Sequence, residues 1–371
     1  MQKYLTALSK NDIAWFKKQL QDYKTSIDTN LTEIKDELES SVSKEFGGAP
    51  KEVVSAYCNV LLNGGKRIRG AIAITAYQLF GGEDYEVIMR AACALEMLNT
   101  YILIADDIQD RSHTRRGNKT AHVALRDYHS ENHLNGDAQH FGEALAINSL
   151  LVAQHYASNL IADLPIDADT RIRALQNINK CFITTCHGQT MDLFIEATGN
   201  ASIADVNNIL EWKTAYYTFI NPLQLGAILA GADTKANDAL ATYGLHAGRA
   251  FQLTDDIIGT FGDEDKTGKS PLDDIKEGKR TFMIVQALAK TSSSDAYFLE
   301  SCLGNQQLTM QEFERCKKII HETGALATTR QEASDAVELA LRALEGNANG
   351  WQPTAKKFLS TLAQYVLVRD A

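Results

Sequence analysis

Two clusters of aspartates stand at the ends of apolar helical stretches. In the first, Asp106, Asp107 and Asp110 close a stretch that begins near Val87. Residues four apart share one face of a helix, so the carboxylates of Asp106 and Asp110 are expected to point together. Two unit charges about 4 Å apart repel by roughly 4 kcal/mol at an effective dielectric of 20, which calls for a cation between them. Carboxylates completed by substrate phosphates are the usual ligands of Mg²⁺, although one cluster alone fits a solvated helix end equally well.

The second cluster favours the metal interpretation. Gln252, Asp255 and Asp256 share one helical face. The polar loop that follows carries four charged residues, Lys269, Asp273, Asp274 and Lys279. Two acidic helix ends flanked by basic loops suit a diphosphate that several metal ions bridge.

Basic side chains complete the pattern. The segment GGKRIRG at residues 64–70 places cations and flexible backbone at a predicted helix start, where exposed N–H groups and the helix dipole favour anions. Arg115 and Arg116 follow the first cluster closely, and Lys213 and Thr214 lie in another apolar helix. Arginine forks match phosphate oxygens, and lysine supplies a compact charge. Each residue alone is typical of a surface cation, but together they indicate a diphosphate site.

The elements that carry these residues are predicted to be helices. Proline is scarce, at five residues in 371, and apolar residues recur every three or four positions. Residues 1–48 are predicted to form an amphipathic N-terminal extension that ends at Gly47 and Gly48 and packs on the body or on a second subunit. Residues 49–371 are predicted to form one large helical domain.

The composition narrows the functional classes. The formal net charge is −10 and no Lys- or Arg-rich block stands out, so nucleic acid is not an expected partner. The sequence shows no export signal and no run of about 18 apolar residues, and its six cysteines are scattered without a CxxC pair. We therefore expect a cytoplasmic protein with reduced thiols and no membrane span.

With its motifs in this order, the sequence resembles the trans-isoprenyl diphosphate synthase (polyprenyl synthetase) family, which includes geranylgeranyl and farnesyl diphosphate synthases. The resemblance runs from about Gly64 to Thr281 and rests on five motifs: GGKRIRG, DDIQDRSHTRRGNKT, GQTMDL, WKTA and FQLTDDIIGTFGDEDKTGKSPLDDIKEGKRT. It implies an all-α, single-domain helical bundle of the isoprenoid synthase type with a central active-site cavity. The sequence departs from the family pattern in four places: Gly70 replaces Pro, Asn99 replaces His or Gln, Asn148-Ser149 replaces Gly-Asp, and Gly259 replaces the third Asp of the second acidic motif.

The resemblance also implies roles for individual residues. Asp106, Asp107 and Asp110 would bind two Mg²⁺ ions on the allylic diphosphate, and Asp255 with Asp256 would bind a third. Further contacts to the allylic substrate would come from Arg115, Lys213, Thr214, Gln252, Lys269 and Lys279. Isopentenyl diphosphate would be held by Gly65, Lys66, Arg69, Asn99 and Arg116. The family forms homodimers, which we expect here too.

The resemblance implies that two side chains limit the length of the product. These lie four and five residues before the first aspartate and are Ile102 and Tyr101. A bulky Tyr101 predicts a short or medium product, geranylgeranyl or farnesyl diphosphate, although a core aromatic is the commoner role of such a residue.

Three other functions share part of the pattern. A class I terpene cyclase uses similar acidic motifs but has no use for GGKRIRG or Arg116. A non-catalytic subunit of a heteromeric prenyl synthase would have degraded acidic motifs, for which Gly259 is the only sign. A helical interaction protein would carry every cluster as solvated surface and would not bind a diphosphate with Mg²⁺.

Overall fold

Helices make up nearly all regular structure in residues 8–263, 270–346 and 350–369, the part of the chain that the computed structural model describes. The first half contains α1 (Lys10–Phe46), α2 (Gly48–Leu62), α3 (Ile68–Leu79), α4 (Tyr85–Gln109), α5 (Ala121–Glu131), α6 (Ala138–Ala162) and α7 (Ala168–Thr198). The second half contains α8 (Ile203–Ile209), a π-helical segment (Leu210–Ile220), α9 (Asn221–Leu229), α10 (Thr234–Phe261), α11 (Asp273–Lys276), α12 (Phe282–Lys290), α13 (Ser293–Cys302), α14 (Met310–Glu322), α15 (Ala325–Glu345) and α16 (Pro353–Val366). A two-stranded antiparallel hairpin, β1 (Thr114–Arg115) and β2 (Asn118–Lys119), interrupts the helices. The predicted all-α fold is confirmed.

Helix α4 is the central element of the bundle. Asp84 caps its first turn by accepting from the Val87 N–H at 3.1 Å, and Asp110 stands at its other end. Among the described helices, α4 is long and apolar enough to cross a membrane, yet 78% of its most apolar window is buried inside the protein. A helix that is apolar on all sides belongs in a core. The burial of α4 fixes the direction in which its acidic end points.

Helix α1, the main part of the predicted extension, packs on its own chain. Ile27 and Leu31 are fully buried in the core that α2 and α4 share. Phe16 lies in a second core, with its ring centroid 5.0 Å from that of Phe358 on α16. The helix ends at Gly47, whose φ of 89° favours glycine. The division into an extension and a domain at this point stays a prediction.

The packing of α1 accounts for Gly70, one of the four departures from the family pattern. The Gly70 N–H donates to Oε1 of Glu96 at 3.0 Å, a bond that proline cannot make. A Cβ atom at this position would lie 2.6 Å from Cδ1 of Ile27. Glycine therefore lets α1 approach α3 closely while the buried Glu96 keeps a hydrogen-bond donor.

Candidate active site

The first acidic cluster lies where α4 emerges from the core. Asp107 is fully buried and accepts from Nε of Arg115 at 2.8 Å. Asp106 keeps a quarter of its side chain exposed and lies 3.3 Å from Nη2 of Arg115. Burial, and then the charge of Asp106, raises the pKa of Asp110 to about 7. Asp106 and Asp110 are therefore the open pair of the cluster, whereas Asp107 anchors an arginine.

The side chains of Arg115 and Arg116, both in the β1–β2 hairpin, extend in different directions. Arg116 (φ 53°) and Gly117 (φ 76°) form the two-residue turn, and positive φ at both positions is typical of a type I′ turn. Arg115 reaches the acidic cluster, while Nη1 of Arg116 donates to the carbonyls of Asn63 and Gly64 at 3.0 and 2.9 Å. The turn thus links the acidic end of α4 to the loop before α3.

The loop before α3 carries a separate group of basic residues. A Cβ atom at Gly65 (φ 106°) would lie 3.0 Å from Nη1 of Arg116, so glycine is needed for the guanidinium to approach. Burial, and then the charge of Arg369, lowers the pKa of Lys66. Arg69 donates to Oγ1 of Thr218 at 2.8 Å, and its guanidinium lies 4.1 Å from the ring centroid of Tyr217.

Asn99 and Arg69 each carry a buried polar atom that has no hydrogen-bond partner among the described residues. These atoms are Oδ1 of Asn99, which is 6% exposed, and Nε of Arg69. A buried polar atom without a partner costs about 1–3 kcal/mol. An anionic ligand could accept a hydrogen bond from Nε of Arg69, whereas Oδ1 of Asn99 needs a donor.

The second acidic cluster lies on α10 and is tied to the π-helical segment. Oγ1 of Thr214 donates to Oε1 of Gln252 at 2.9 Å, and Nε2 of Gln252 donates to Oδ1 of Asp256 at 2.8 Å. Burial raises the pKa of Asp256 to about 8, although the Gln252 hydrogen bond opposes the rise. Asp255 is more exposed and forms an ion pair with Arg369, close to the end of the chain.

Lys213 lies between α4 and α7. Its Nζ is 2.5 Å from Oδ2 of Asp192 and 4.0 Å from Oδ1 of Asp106. Gly188 allows this approach, because a Cβ atom there would lie 2.4 Å from the Lys213 backbone nitrogen. Asp192 follows Gly188 by four residues on the same face of α7. The GQTMDL and WKTA motifs therefore act together in positioning this lysine.

Lys279 connects the two acidic clusters. Its Nζ lies 3.3 Å from Oδ1 of Asp274 and also pairs with Glu277. Burial opposes the charge of Lys279, but Asp274 and Glu277 outweigh it, so its pKa is raised well above the usual value. The same ammonium lowers the pKa of both Asp110 and Asp256. Both clusters therefore face one shared space.

The structure brings together most residues that the sequence singled out and adds others. Lys269 lies outside the described residues, so its predicted role stays a prediction. Four charged residues of the site had been given no role: Asp192, Asp274, Glu277 and Arg369. The GQTMDL motif signals Asp192 and the polar loop signals Asp274, whereas no motif signals Arg369.

The donor set fits a hard divalent cation. In the described ranges, no three residues among His, Cys, Asp and Glu converge closely enough to hold a metal without help. Mg²⁺ is usually held by one or two carboxylates and completed by water and substrate phosphates, so a pair such as Asp106 and Asp110 fits it. Burial, and then the charge of Asp106, raises the pKa of Asp110, and a cation bound between the two carboxylates would relieve their repulsion.

Comparison with known proteins gives one consistent result. The family profile described as Polyprenyl synthetase matches residues 51–320. The chain is 30% identical to a geranylgeranyl diphosphate synthase of Saccharolobus solfataricus over 327 residues, 86% of this chain and 91% of that one. It is 28% identical to a geranylfarnesyl diphosphate synthase of Aeropyrum pernix, covering 86% and 95%. A geranylgeranyl pyrophosphate synthase of Corynebacterium glutamicum, solved with isoprenyl diphosphate and magnesium, superposes with a TM-score of 0.88 at 32% identity, covering 94% and 99%.

Proposed function

The chain belongs to the polyprenyl synthetase family and is a prenyltransferase, and from that premise we propose that it joins isopentenyl diphosphate head to tail to an allylic diphosphate. One observation carries the proposal: the acidic ends of α4 and α10 face a shared space that Lys213 and Lys279 line. A separate basic group, Lys66, Arg69 and Arg116, lies at the loop before α3. One site suits a metal-bound diphosphate, and the other suits a diphosphate held by cations alone.

The allylic diphosphate is proposed to lie between the two acidic clusters. Mg²⁺ held there, three ions in all, would act as a Lewis acid that stabilises negative charge on the diphosphate. The chain adds its own contacts to the allylic group through Arg115, Lys213, Thr214, Gln252 and Lys279, with Lys269 proposed from the family pattern. Because ion pairs and hydrogen bonds hold these side chains in place, they stabilise the developing charge with little reorganisation.

Isopentenyl diphosphate is proposed to bind at the loop before α3. Gly65 lets the Arg116 guanidinium approach the loop, and Lys66 and Arg116 supply charge. Arg69, held by Thr218 and Tyr217, presents a buried Nε–H that can donate to the diphosphate, and Asn99 can donate to it only through its side-chain amide N–H. Partly buried cations bind phosphate oxygens strongly because water competes less.

The carbon chemistry follows from this arrangement. The carbon–oxygen bond of the allylic substrate breaks, and its electron pair leaves with the diphosphate. The isopentenyl double bond attacks the allylic cation, and loss of one proton gives a longer allylic diphosphate. The released diphosphate is the proposed proton acceptor. The backbone at Lys213 and Thr214, with Gln252, would face the cation and shield it from water.

The direct test is incubation with Mg²⁺, labelled isopentenyl diphosphate and each of dimethylallyl, geranyl and farnesyl diphosphate. Chromatography of the dephosphorylated products then reports both the reaction and the product length. We expect elongation with at least one primer. A folded protein that incorporates no label with any primer would contradict the proposal and favour the cyclase or the non-catalytic subunit.

A short or medium product fits the residues before the first acidic cluster. Tyr101 and Phe182 form an edge-on aromatic pair with centroids 5.9 Å apart, which joins α4 to α7. Ile102, the next residue on α4, is partly buried. We propose geranylgeranyl or farnesyl diphosphate as the product, with the aromatic pair as the floor that stops the growing chain.

Replacing Tyr101 by Ala is expected to lengthen the product by one or more five-carbon units, since it opens space against Phe182. The measurement is the product profile with farnesyl diphosphate as primer. The matched control is Tyr85→Ala, because Tyr85 lies at the exposed start of the same helix, 60% accessible to solvent. An unaltered profile for Tyr101→Ala would show that the aromatic pair is ordinary core packing.

A homodimer is proposed from an apolar stripe on α7. Ile172, Ile183 and Phe194 follow one another at intervals of 11 residues, about three helical turns, so they lie on one face. They are 54%, 60% and 68% exposed, and Ile147 and Leu151 on α6 are 48% and 53% exposed. A second copy of the chain would bury this stripe.

Ile183→Glu is expected to dissociate the dimer, because an unpaired buried carboxylate costs about 3–5 kcal/mol, roughly a 10²- to 10⁴-fold weaker association. Light scattering after gel filtration measures the mass. Met310→Glu, which changes an exposed apolar residue on α14, is the control and should remain dimeric. A dimeric Ile183→Glu variant would place the interface elsewhere.

Composition, the state of the cysteines and the basic residues support proposals on partners, cellular location and reaction type. Isopentenyl and allylic diphosphates are the proposed partners, and the net charge of −10 gives no support to nucleic acid as a partner. We propose a cytoplasmic location, since all six cysteines are free thiols and five are buried. The separate basic group, Lys66, Arg69 and Arg116, favours a synthase, because a cyclase needs only one diphosphate site.

A further inference from the structure

Arg67, the middle cation of GGKRIRG, is buried, unlike its neighbours. Lys66 is exposed and Arg69 is half-buried, and both belong to the basic group proposed for isopentenyl diphosphate. The Arg67 side chain is only 3% exposed. An arginine is almost never buried so completely unless protein groups pair with it. The contacts of Arg67 inside the protein therefore define its role.

All three guanidinium nitrogens of Arg67 face protein acceptors. Nε donates to Oδ1 of Asp28 at 2.7 Å, and Nη2 donates to the Leu61 carbonyl at 2.7 Å. Nη1 lies 3.6 Å from Oε2 of Glu96. These partners belong to α1, α2 and α4, so one side chain joins three helices beside the loop before α3. The fork of Arg67 holds the loop rather than a ligand.

The backbone at Arg67 lies in the left-handed region, with φ 50° and ψ 38°. A residue with a side chain seldom adopts this conformation, which persists where surrounding contacts fix it. The turn leads directly into α3, where the Ala71 N–H donates to the Arg67 carbonyl at 3.0 Å. Lys66 precedes this turn and Arg69 lies in the first turn of α3. The contacts that hold Arg67 therefore determine where both neighbouring cations stand.

Asp28 brings the N-terminal helix α1 into this arrangement. Burial opposes the ionisation of Asp28, but the hydrogen bonds from Lys24 and Arg67 outweigh it, so its pKa is lowered. Asp28 is therefore charged at neutral pH and balances the buried guanidinium. The other carboxylate, Glu96, is 2% exposed and accepts from the Gly70 N–H at 3.0 Å. Helix α1 thus supplies charge to the loop in addition to apolar packing.

We propose that Arg67 is a positioning residue of the isopentenyl diphosphate site and that α1, through Asp28, holds that site in place. The inference rests on the proposed function, because Lys66 and Arg69 are the cations proposed to bind that substrate. Positioning matters at such a site, since a displacement of about 1 Å can cost roughly 10²-fold in rate. A change on α1 that removes no substrate contact should therefore weaken isopentenyl diphosphate selectively.

The test is a comparison of the two substrates in Asp28→Ala. KM for isopentenyl diphosphate is expected to rise roughly 10-fold, with kcat and KM for the allylic diphosphate within about twofold of the wild type. Asp28→Asn keeps an acceptor for Nε of Arg67, so its KM should lie between the two. Asp36→Ala is the matched control, since Asp36 lies on the same helix, is 68% exposed and pairs with its neighbour Lys35. Calorimetric titration of isopentenyl diphosphate without allylic substrate measures the same change apart from turnover.

Variants of Arg67 separate positioning from general stability. Arg67→Gly leaves the left-handed backbone accessible but removes the guanidinium, and it is expected to raise the same KM. Because both changes break one contact, the double variant Asp28→Ala/Arg67→Gly should bind isopentenyl diphosphate no more weakly than Arg67→Gly alone. A purely structural role would lower the melting temperature and the fraction of active protein, and both KM values would stay unchanged. If Asp28→Ala does not fold, Asp28→Asn decides the question.

The possible failures of this inference and of the proposed function differ. A wild-type protein that elongates a primer, with KM for isopentenyl diphosphate unchanged in the Asp28 and Arg67 variants, would overturn the inference alone. An equal rise in both KM values would also overturn it. A wild-type protein that neither binds isopentenyl diphosphate nor elongates any primer would contradict the proposed function itself.

Discussion

Replacement of Asp106 by Ala is expected to lower turnover by roughly 10³-fold, at the upper end of the effect of removing one preorganised electrostatic group. Asp106 and Asp110 are the open pair of the first cluster, so the change removes one of the two carboxylates that would face the same cation. The neighbouring cations should stay in place. Arg115 keeps its pair with the buried Asp107, and Lys213 keeps its pair with Asp192.

Arg115 and Lys213 each pair with a second aspartate besides Asp106, which makes Asp106→Ala an informative variant. Because neither cation is released, circular dichroism and the melting temperature are expected to match the wild type, while Mg²⁺-dependent binding of diphosphate is lost along with turnover. Asp127→Ala is the matched control, since Asp127 also pairs with two cations, Arg126 and Lys119, but lies on α5 and belongs to neither acidic cluster. Unchanged turnover in Asp106→Ala would remove the metal role proposed for the first cluster.

The helical face of each acidic cluster could be predicted because it depends only on spacing along one helix. Asp106 with Asp110, and Gln252 with Asp255, share a face in any regular helix. The different burial of Asp106 and Asp107 could not be predicted, since it depends on where Arg115 approaches. That approach is set by a type I′ turn at Arg116 and Gly117 between two short strands, which the spacing of apolar residues does not predict.

Contacts between distant segments explain the rest of what sequence reasoning missed. Arg369 lies 114 residues from Asp255, and the charge of one arginine near the end of a chain carries no sign of its partner. The contact between Gly259 and Asp274 is similar, because the two residues are 15 positions apart in the sequence and no motif shows that they meet. A departure from a family pattern shows that a side chain is missing, but only packing shows what fills its place.

Lys213 is the cation whose removal should most disturb the shared space. Lys213→Gln is expected to lower kcat by roughly 10²- to 10³-fold, because a fixed positive charge is lost where negative charge develops. Lys213→Arg keeps the charge and should retain more of the activity. Steady-state kinetics of the two variants, with folding checked by circular dichroism, separates charge from packing. Equal loss in both would point to the geometry of the Asp192 contact instead.

The same change has a pH signature whose direction is fixed by the charges. Lys213 is one of the cations that hold down the pKa of Asp110, which burial and Asp106 have already raised to about 7. Removing Lys213 raises that pKa further, so Asp110 of the free enzyme stays protonated to a higher pH and binds a cation less well there. The acid limb of the kcat/KM profile is therefore expected to move to higher pH in Lys213→Gln and to stay in place in Lys213→Arg. An acid limb that does not move in Lys213→Gln would mean that Asp110 does not control this limb.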